Sequence, residues 1–232
     1  ISYYNQYLFV GGMPEAVDNF IKNGKNIASF DDTILNNIVN AYIEDMTKYV
    51  ENNSETIRIK ATYSSIPSQL GNDSHKFQYS KINGNSRRRD YESPLDWLLS
   101  SHIVMQSFNV KNPIVPVKLY FDFDTFKLYL NDVGILRNSL ELSYLSTQQS
   151  QYKGLLAENY VAFHLKSNLG KSLCYFKNES STVEIDFLLQ NEDGVIPIEV
   201  KSSENTQSKS LKSYVNKYEP KYSIRLSTKN FG

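Results

Sequence analysis

Three features of the sequence predict an α+β protein, with an interleaved α/β unit at its end. Helical apolar repeats fill the first fifty residues. Short β-type runs broken by proline lie between residues 105 and 130. From residue 154 onward, helix and strand patterns alternate, the order of a small mixed sheet covered by helices.

Residues 1–54 form the expected helical lead-in. Pro14 stands where a first helical turn tolerates it, Ala16, Val17, Phe20 and Ile21 make an apolar stripe, and Gly24 is a stop. Ile34, Leu35, Ile38, Val39, Tyr42, Ile43, Met46 and Val50 then follow a helical repeat, with Asp32 as its expected cap. Gly11-Gly12 reads as a hinge or turn, because no Lys-Ser/Thr pair follows to make it a phosphate loop.

Residues 55–147 change character. Thr56–Ser64 reads as a weak helix, Ile66-Pro67 starts a new element, and Ser93-Pro94 caps a helix carrying Leu95, Leu98, Leu99, Ile103 and Val104. Trp97 belongs to its core. Strands are expected at 105–110, 115–121 and 126–130. Small helices followed by hairpins are the order of a winged helix, whose last helix enters the major groove of DNA.

Gln148–Gln151 marks a boundary, and residues 148–232 form the third segment. A helix at 154–169 is stopped by Gly170, with strands at 173–178, 183–189 and 195–201 after it. A second helix carries Leu211, Tyr214, Val215 and Tyr218, and a strand at 222–228 closes an α-β-β-β-α-β order.

Composition narrows the function classes. A chain of 232 residues suffices for one large domain or two to three small ones. With 25 Lys+Arg against 25 Asp+Glu there is no net field to steer a polyanion, so any nucleic-acid affinity rests on local patches. A single cysteine, Cys174, excludes an internal disulfide and a cysteine zinc cluster, and its apolar run makes it a buried, inert thiol. His75, His102 and His164 lack metal-ligand spacing, and His164 is expected to be structural. No run approaches the ~18–20 apolar residues of a membrane span, and no signal peptide is visible. A reducing cytoplasm is the expected compartment. The chain opens on Ile1 rather than methionine and is expected to be a piece of something longer.

The chemistry is expected in Val183-Glu-Ile-Asp-Phe-Leu-Leu189 and Ile196-Pro-Ile-Glu-Val-Lys201. Alternation puts Glu199 and Lys201 on one strand face and Glu184 with Asp186 on one face of the other. Pairing Asp186 with Glu199 leaves Asn191–Gly194 as a four-residue hairpin loop and brings the carboxylates within ~4.5–5.5 Å at Cβ. Like charges so close repel, and Mg²⁺ relieves them because it takes oxygen ligands and keeps waters. Glu158, in an apolar helix stripe with Leu155, Ala162 and Leu165, needs a partner too, either a metal or Lys201. Arg87, Arg88 and Arg89, with Lys81 nearby, either touch nucleic-acid phosphates, form a solvated loop, or pair with Asp90 and Glu92.

Glu158 on a helix, Asp186 on a strand and Glu199-Val-Lys201 on the next resemble the PD-(D/E)XK nuclease-like superfamily over about residues 150–232. Ile185 stands where the name-giving pattern has proline. The resemblance implies a restriction-endonuclease-like fold in which Asp186, Glu199 and Glu158 hold Mg²⁺ and Lys201 activates the attacking water. Tyr7-Leu-Phe-Val-Gly-Gly-Met-Pro-Glu-Ala-Val17, Ser65–Leu70, Lys76–Tyr79, Asp96–Leu98, Phe126–Gly134 and Glu158–Val161 widen it. Together these look like the C-terminal half of bacterial and archaeal AAA+ ATPases with a C-terminal domain of unknown function. That likeness implies an upstream ATP-binding domain, assembly in the parent protein, and DNA as a partner. The chain itself carries no Gly-x-x-x-x-Gly-Lys-Ser/Thr motif.

Two functions follow as expectations. One is a Mg²⁺-dependent DNA phosphodiesterase. The other is a catalytically silent module that couples an upstream ATPase to nucleic-acid or protein partners. A purely structural role would require the carboxylates to point apart.

Overall fold

The computed structural model describes residues 2–48, 52–72, 75–178, 183–202 and 208–228. Its first half is helical: α1 (Ser2–Val10), α2 (Pro14–Lys22), α3 (Thr33–Lys48), α4 (Asn53–Leu70), α5 (Ser80–Asn83) and α6 (Arg88–Ser100). Strands β1 (Val104–Val110) and β2 (Phe121–Leu130) follow, then α7 (Val133–Ser139), α8 (Tyr144–Thr147) and α9 (Ser150–Leu169). The chain continues through β3 (Leu173–Lys177), β4 (Glu184–Ile185), β5 (Phe187–Asn191), β6 (Gly194–Lys201), α10 (Lys209–Tyr218) and β7 (Ile224–Ser227). The class is α+β, with two small mixed sheets ordered β2-β1-β3-β4 and β5-β6-β7.

Two helix starts differ from expectation, and proline explains both. Pro67 does not open an element but lies in the last turn of α4, where burial of Ile66 and Leu70 outweighs one lost backbone bond. Pro94 lies inside α6, whose cap position is Arg87, so Arg88 and Arg89 are helical rather than in a loop. The helix ends at Ser100, which leaves Ile103 in the link to β1 and Val104 as its first residue. Asp31, not Asp32, accepts the Thr33 backbone N–H at the start of α3. Asp32 instead takes both terminal nitrogens of Arg137, a guanidinium 1% exposed that also donates to Phe9 O. Val50, expected on the α3 stripe, lies outside the described residues.

The strand expected at 115–121 is a 3₁₀ turn at Val117–Tyr120, since Pro113 and Pro116 supply no ladder donors. β2 runs unbroken from Phe121 and pairs antiparallel with β1 through a bulge at Phe108/Asn109. β1 also pairs in parallel with β3, so strands on both sides of residue 148 share one sheet. α9 begins at Ser150, ahead of its expected start, and ends on Gly170 in the left-handed conformation. Cys174 is buried and unpaired, and burial pushes its thiol up to about 12.

Gly11 and Gly12 form the expected turn. The Gly12 N–H donates to Asp132 Oδ2 (2.7 Å), while Oδ1 caps α7 through Ile135 N (2.9 Å). That docks α1 on α7, and a Cβ at Gly134 would lie 2.3 Å from the Val10 carbonyl oxygen. Backbone cannot yield as a side chain does. Gly134→Ala is therefore expected to cost at least about 2 kcal/mol in urea unfolding, from overpacking.

Candidate carboxylate–lysine site

The β5–β6 ladder pairs Phe187 with Ile198, Leu189 with Ile196 and Asn191 with Gly194. This is the expected register, carried further, so only Glu192 and Asp193 remain in the turn. Continued by one step, it puts Asp186 opposite Glu199. The expected strand at 183–189 is broken there, because Asp186 sits in a bend between β4 and β5. Its Oδ2 accepts the Val200 backbone N–H at 2.7 Å. That bond pins the carboxylate to β6 at the point where the two sheets meet.

Glu199 is 4% exposed. Its Oε1 lies 2.6 Å from Lys201 Nζ, and its Oε2 accepts from Ser208 Oγ at the start of α10. Beside Lys201 opens a cavity of about 310 Å³, walled by Tyr4, Ala157, Tyr160, Val161, Val200 and Leu226.

Glu158 projects from α9 toward the same sheet face, and its partners come from the other sequence segment. Its Oε1 accepts from Lys127 Nζ (2.9 Å) and Tyr129 OH (2.6 Å), both on β2, while Oε2 lies 3.6 Å from His75 Nδ1. Lys127 is 1% exposed, reaches Glu184 at 2.9 Å and stands 4.8 Å above the Tyr175 ring. Glu184 is bridged in turn to Lys177 at 2.6 Å. Lys127 is not among the residues expected at the site, although a lysine within an otherwise apolar strand, Phe126-Lys-Leu-Tyr-Leu130, is a signal that such a partner exists.

Charge is unevenly settled across this face. Burial alone would push the Glu158 carboxyl up, but the Lys127 ammonium and the Tyr129 hydroxyl hold it below the usual range. Lys127 likewise loses to burial and gains more from Glu158 and Glu184, so it stays charged. Asp186 goes the other way. Burial and then the Glu158 carboxylate, with a further push from Glu199, carry it up to about 7 against the opposing pull of Lys127 and the Val200 N–H.

The residues fit Mg²⁺ in part. Asp186 and Glu199 offer hard oxygen donors, and Asp186 is a carboxyl still short of positive charge. Glu158 is already satisfied by Lys127 and Tyr129. Among the described residues, no group of three or more His, Cys, Asp or Glu is disposed to hold a metal ion. His164 packs against Tyr160, with ring centroids 4.3 Å apart. The basic run is largely self-neutralised: Arg88 pairs with Glu92 and Asp124, and Arg89 lies 3.7 Å from Asp90.

Two family models match the chain. Residues 1–146 match the family described as Domain of unknown function (DUF8612), and residues 153–232 match Domain of unknown function (DUF4143). No curated protein and no solved structure matches it. Among the described residues, no helix is long and apolar enough to cross a membrane.

Proposed function

The chain belongs to the family described as Domain of unknown function (DUF8612), and because that description assigns no chemistry, we propose a function from the site itself: a Mg²⁺-dependent phosphodiesterase acting on DNA. The supporting observation is Asp186, one step beyond the β5–β6 ladder toward Glu199 and bonded to the Val200 N–H, its carboxyl pushed up by burial and then by Glu158, with Lys201 paired to Glu199. In this reading residues 148–232 are the nuclease-like unit and residues 55–147 a winged-helix-like unit behind the lead-in of 1–54. The DUF4143 match supports an upstream ATPase, because that family is commonly found with AAA ATPase domains.

Each side chain then has a task. Asp186 and Glu199 would hold the cation, which when bound supplies Lewis-acid stabilisation of a phosphoryl oxygen. Lys201 would orient water and offset developing charge from its place on Glu199. Glu158, fixed by Lys127 and Tyr129, sets the negative field felt by Asp186. Arg87, Arg88, Arg89 and Lys81 would contact DNA only by giving up the ion pairs that some of them make.

A second reading, the catalytically silent coupling module, draws support from Lys127, a built-in countercharge for Glu158 and Glu184 where a cation would otherwise be needed. Calorimetric titration of Mg²⁺ and Mn²⁺ into the wild type and Asp186→Ala/Glu199→Ala separates the two, with plasmid and single-strand cleavage run alongside. The nuclease reading expects saturable binding that the double variant lacks, and cleavage lower by at least about a hundredfold. Neither binding nor nicking in the wild type would leave the silent module.

A further inference from the structure

At the far ends of β1 and β3 lies a cleft of about 450 Å³ whose lining includes Asn109, Lys111, Lys177, Lys217 and Tyr218. Among the described residues, no acidic side chain lines it. Lys177 is committed to Glu184. The other two lysines are looser. Lys111 is 66% exposed and stands 3.7 Å from Asp122, and Lys217, 5.0 Å above the Tyr218 ring, makes no ion pair among the described residues. The carbonyl end of α10 lies at the same rim and opposes an anion with about half a charge, which the lysines exceed.

Asn109 adds a directional element. It is 2% exposed, and its Oδ1 accepts the Lys177 backbone N–H at 2.9 Å. That bond fixes which end of the amide is oxygen. With Oδ1 taken, the Nδ2 end of the amide is the donor that Asn109 can offer at the cleft wall.

We propose that this cleft binds the phosphate of a nucleotide unit, with Asn109 Nδ2, Lys111 and Lys217 on the phosphate oxygens and Tyr218 against the base. Cations and an amide donor fixed in direction select a multi-oxygen anion, and an aromatic ring beside them selects one that carries a base. The source is either a free nucleotide or a nucleotide within a strand. The site stands apart from Asp186, Glu199 and Lys201, and the inference does not depend on cleavage.

The test uses the full chain in EDTA, so that no cleavage reading enters. Anisotropy of a fluorescein-labelled single-stranded oligonucleotide is followed across salt, with AMP as a second titrant. Lys111→Ala/Lys217→Ala, both exposed positions, is expected to keep the wild-type melting temperature. Its affinity should fall about tenfold, and the slope of log K against log salt should flatten by about 1.4, two contacts at ~0.7 each. Equal, saturable binding of AMP identifies the free nucleotide, and binding of the strand alone identifies nucleic acid. Unchanged affinity and slope in the double variant overturn the proposal. So does loss that follows Arg87→Ala/Arg89→Ala instead.

Discussion

Lys127→Met is expected to destabilise the protein by about 3–5 kcal/mol, read as a lower urea midpoint at constant m-value, because it strands the buried Glu158 carboxylate. The substitution keeps the length and packing of the side chain and deletes only the ammonium. Glu158 would then keep the Tyr129 hydroxyl but lose the cation that holds its carboxyl ionised. Glu184 would keep Lys177. The double variant Lys127→Met/Glu158→Gln removes both charges of the buried pair and should recover most of the loss, as replaced pairs commonly do. pH supplies an independent check. In the wild type Glu158 has a folded pKa below its unfolded one, so its stabilisation is present above the unfolded value near 4.5 and disappears as pH falls through the folded value. Lys127→Met abolishes that depression. The gap between variant and wild type should therefore narrow on acidification, and a pH-independent gap would mean that Lys127 acts through packing alone.

What sequence reasoning reaches here is local. α2, α9 and α10 follow from apolar repeats, and the β5–β6 register follows from placing two carboxylates on one face. Proline misleads where tertiary burial overrides a local rule: Pro67 and Pro94 sit inside helices because Ile66, Leu70, Leu95 and Leu98 are buried around them. Lys127 escapes for a different reason. Alternation along β2 predicts one buried and one wet face, yet Phe126 through Leu130 are all buried, because α9 covers the side that carries Lys127 and Tyr129. Its partner Glu158 lies 31 residues on, and the parallel β1–β3 pairing that builds the common sheet is equally non-local. The acids of the candidate site are legible from spacing, but the non-local pairing of Lys127 with one of them is not. The arginine run reads as a loop in sequence. In the helix, Arg88 and Glu92 face each other one turn apart.

Asp186→Asn should make the metal-free protein more stable above neutral pH, by about 2–4 kcal/mol at pH 8 in EDTA. The sign follows from linkage. Asp186 titrates at about 7 in the folded protein, above its ordinary value of 3.8, so the native state binds the proton more tightly than the unfolded chain does. Stability falls as pH climbs from about 4 to 7, and the loss is complete above that window. Asparagine cannot ionise, and its amide oxygen still accepts the Val200 N–H, so the variant should show a flatter profile that meets the wild type near pH 4. A carboxylate that weakens its own fold, pushed there by burial and then by Glu158 and Glu199, would mark a site arranged for a task other than stability. A divalent cation that binds this face should reverse the order, raising the wild-type melting temperature at pH 8 and leaving Asp186→Asn unmoved. If the variant gains nothing at pH 8 without metal, Asp186 is solvated and the carboxylates do not converge, and the cluster is structural. If it gains stability and Mg²⁺ changes neither protein, Lys127 already supplies all the positive charge this face accepts, and the silent module stands.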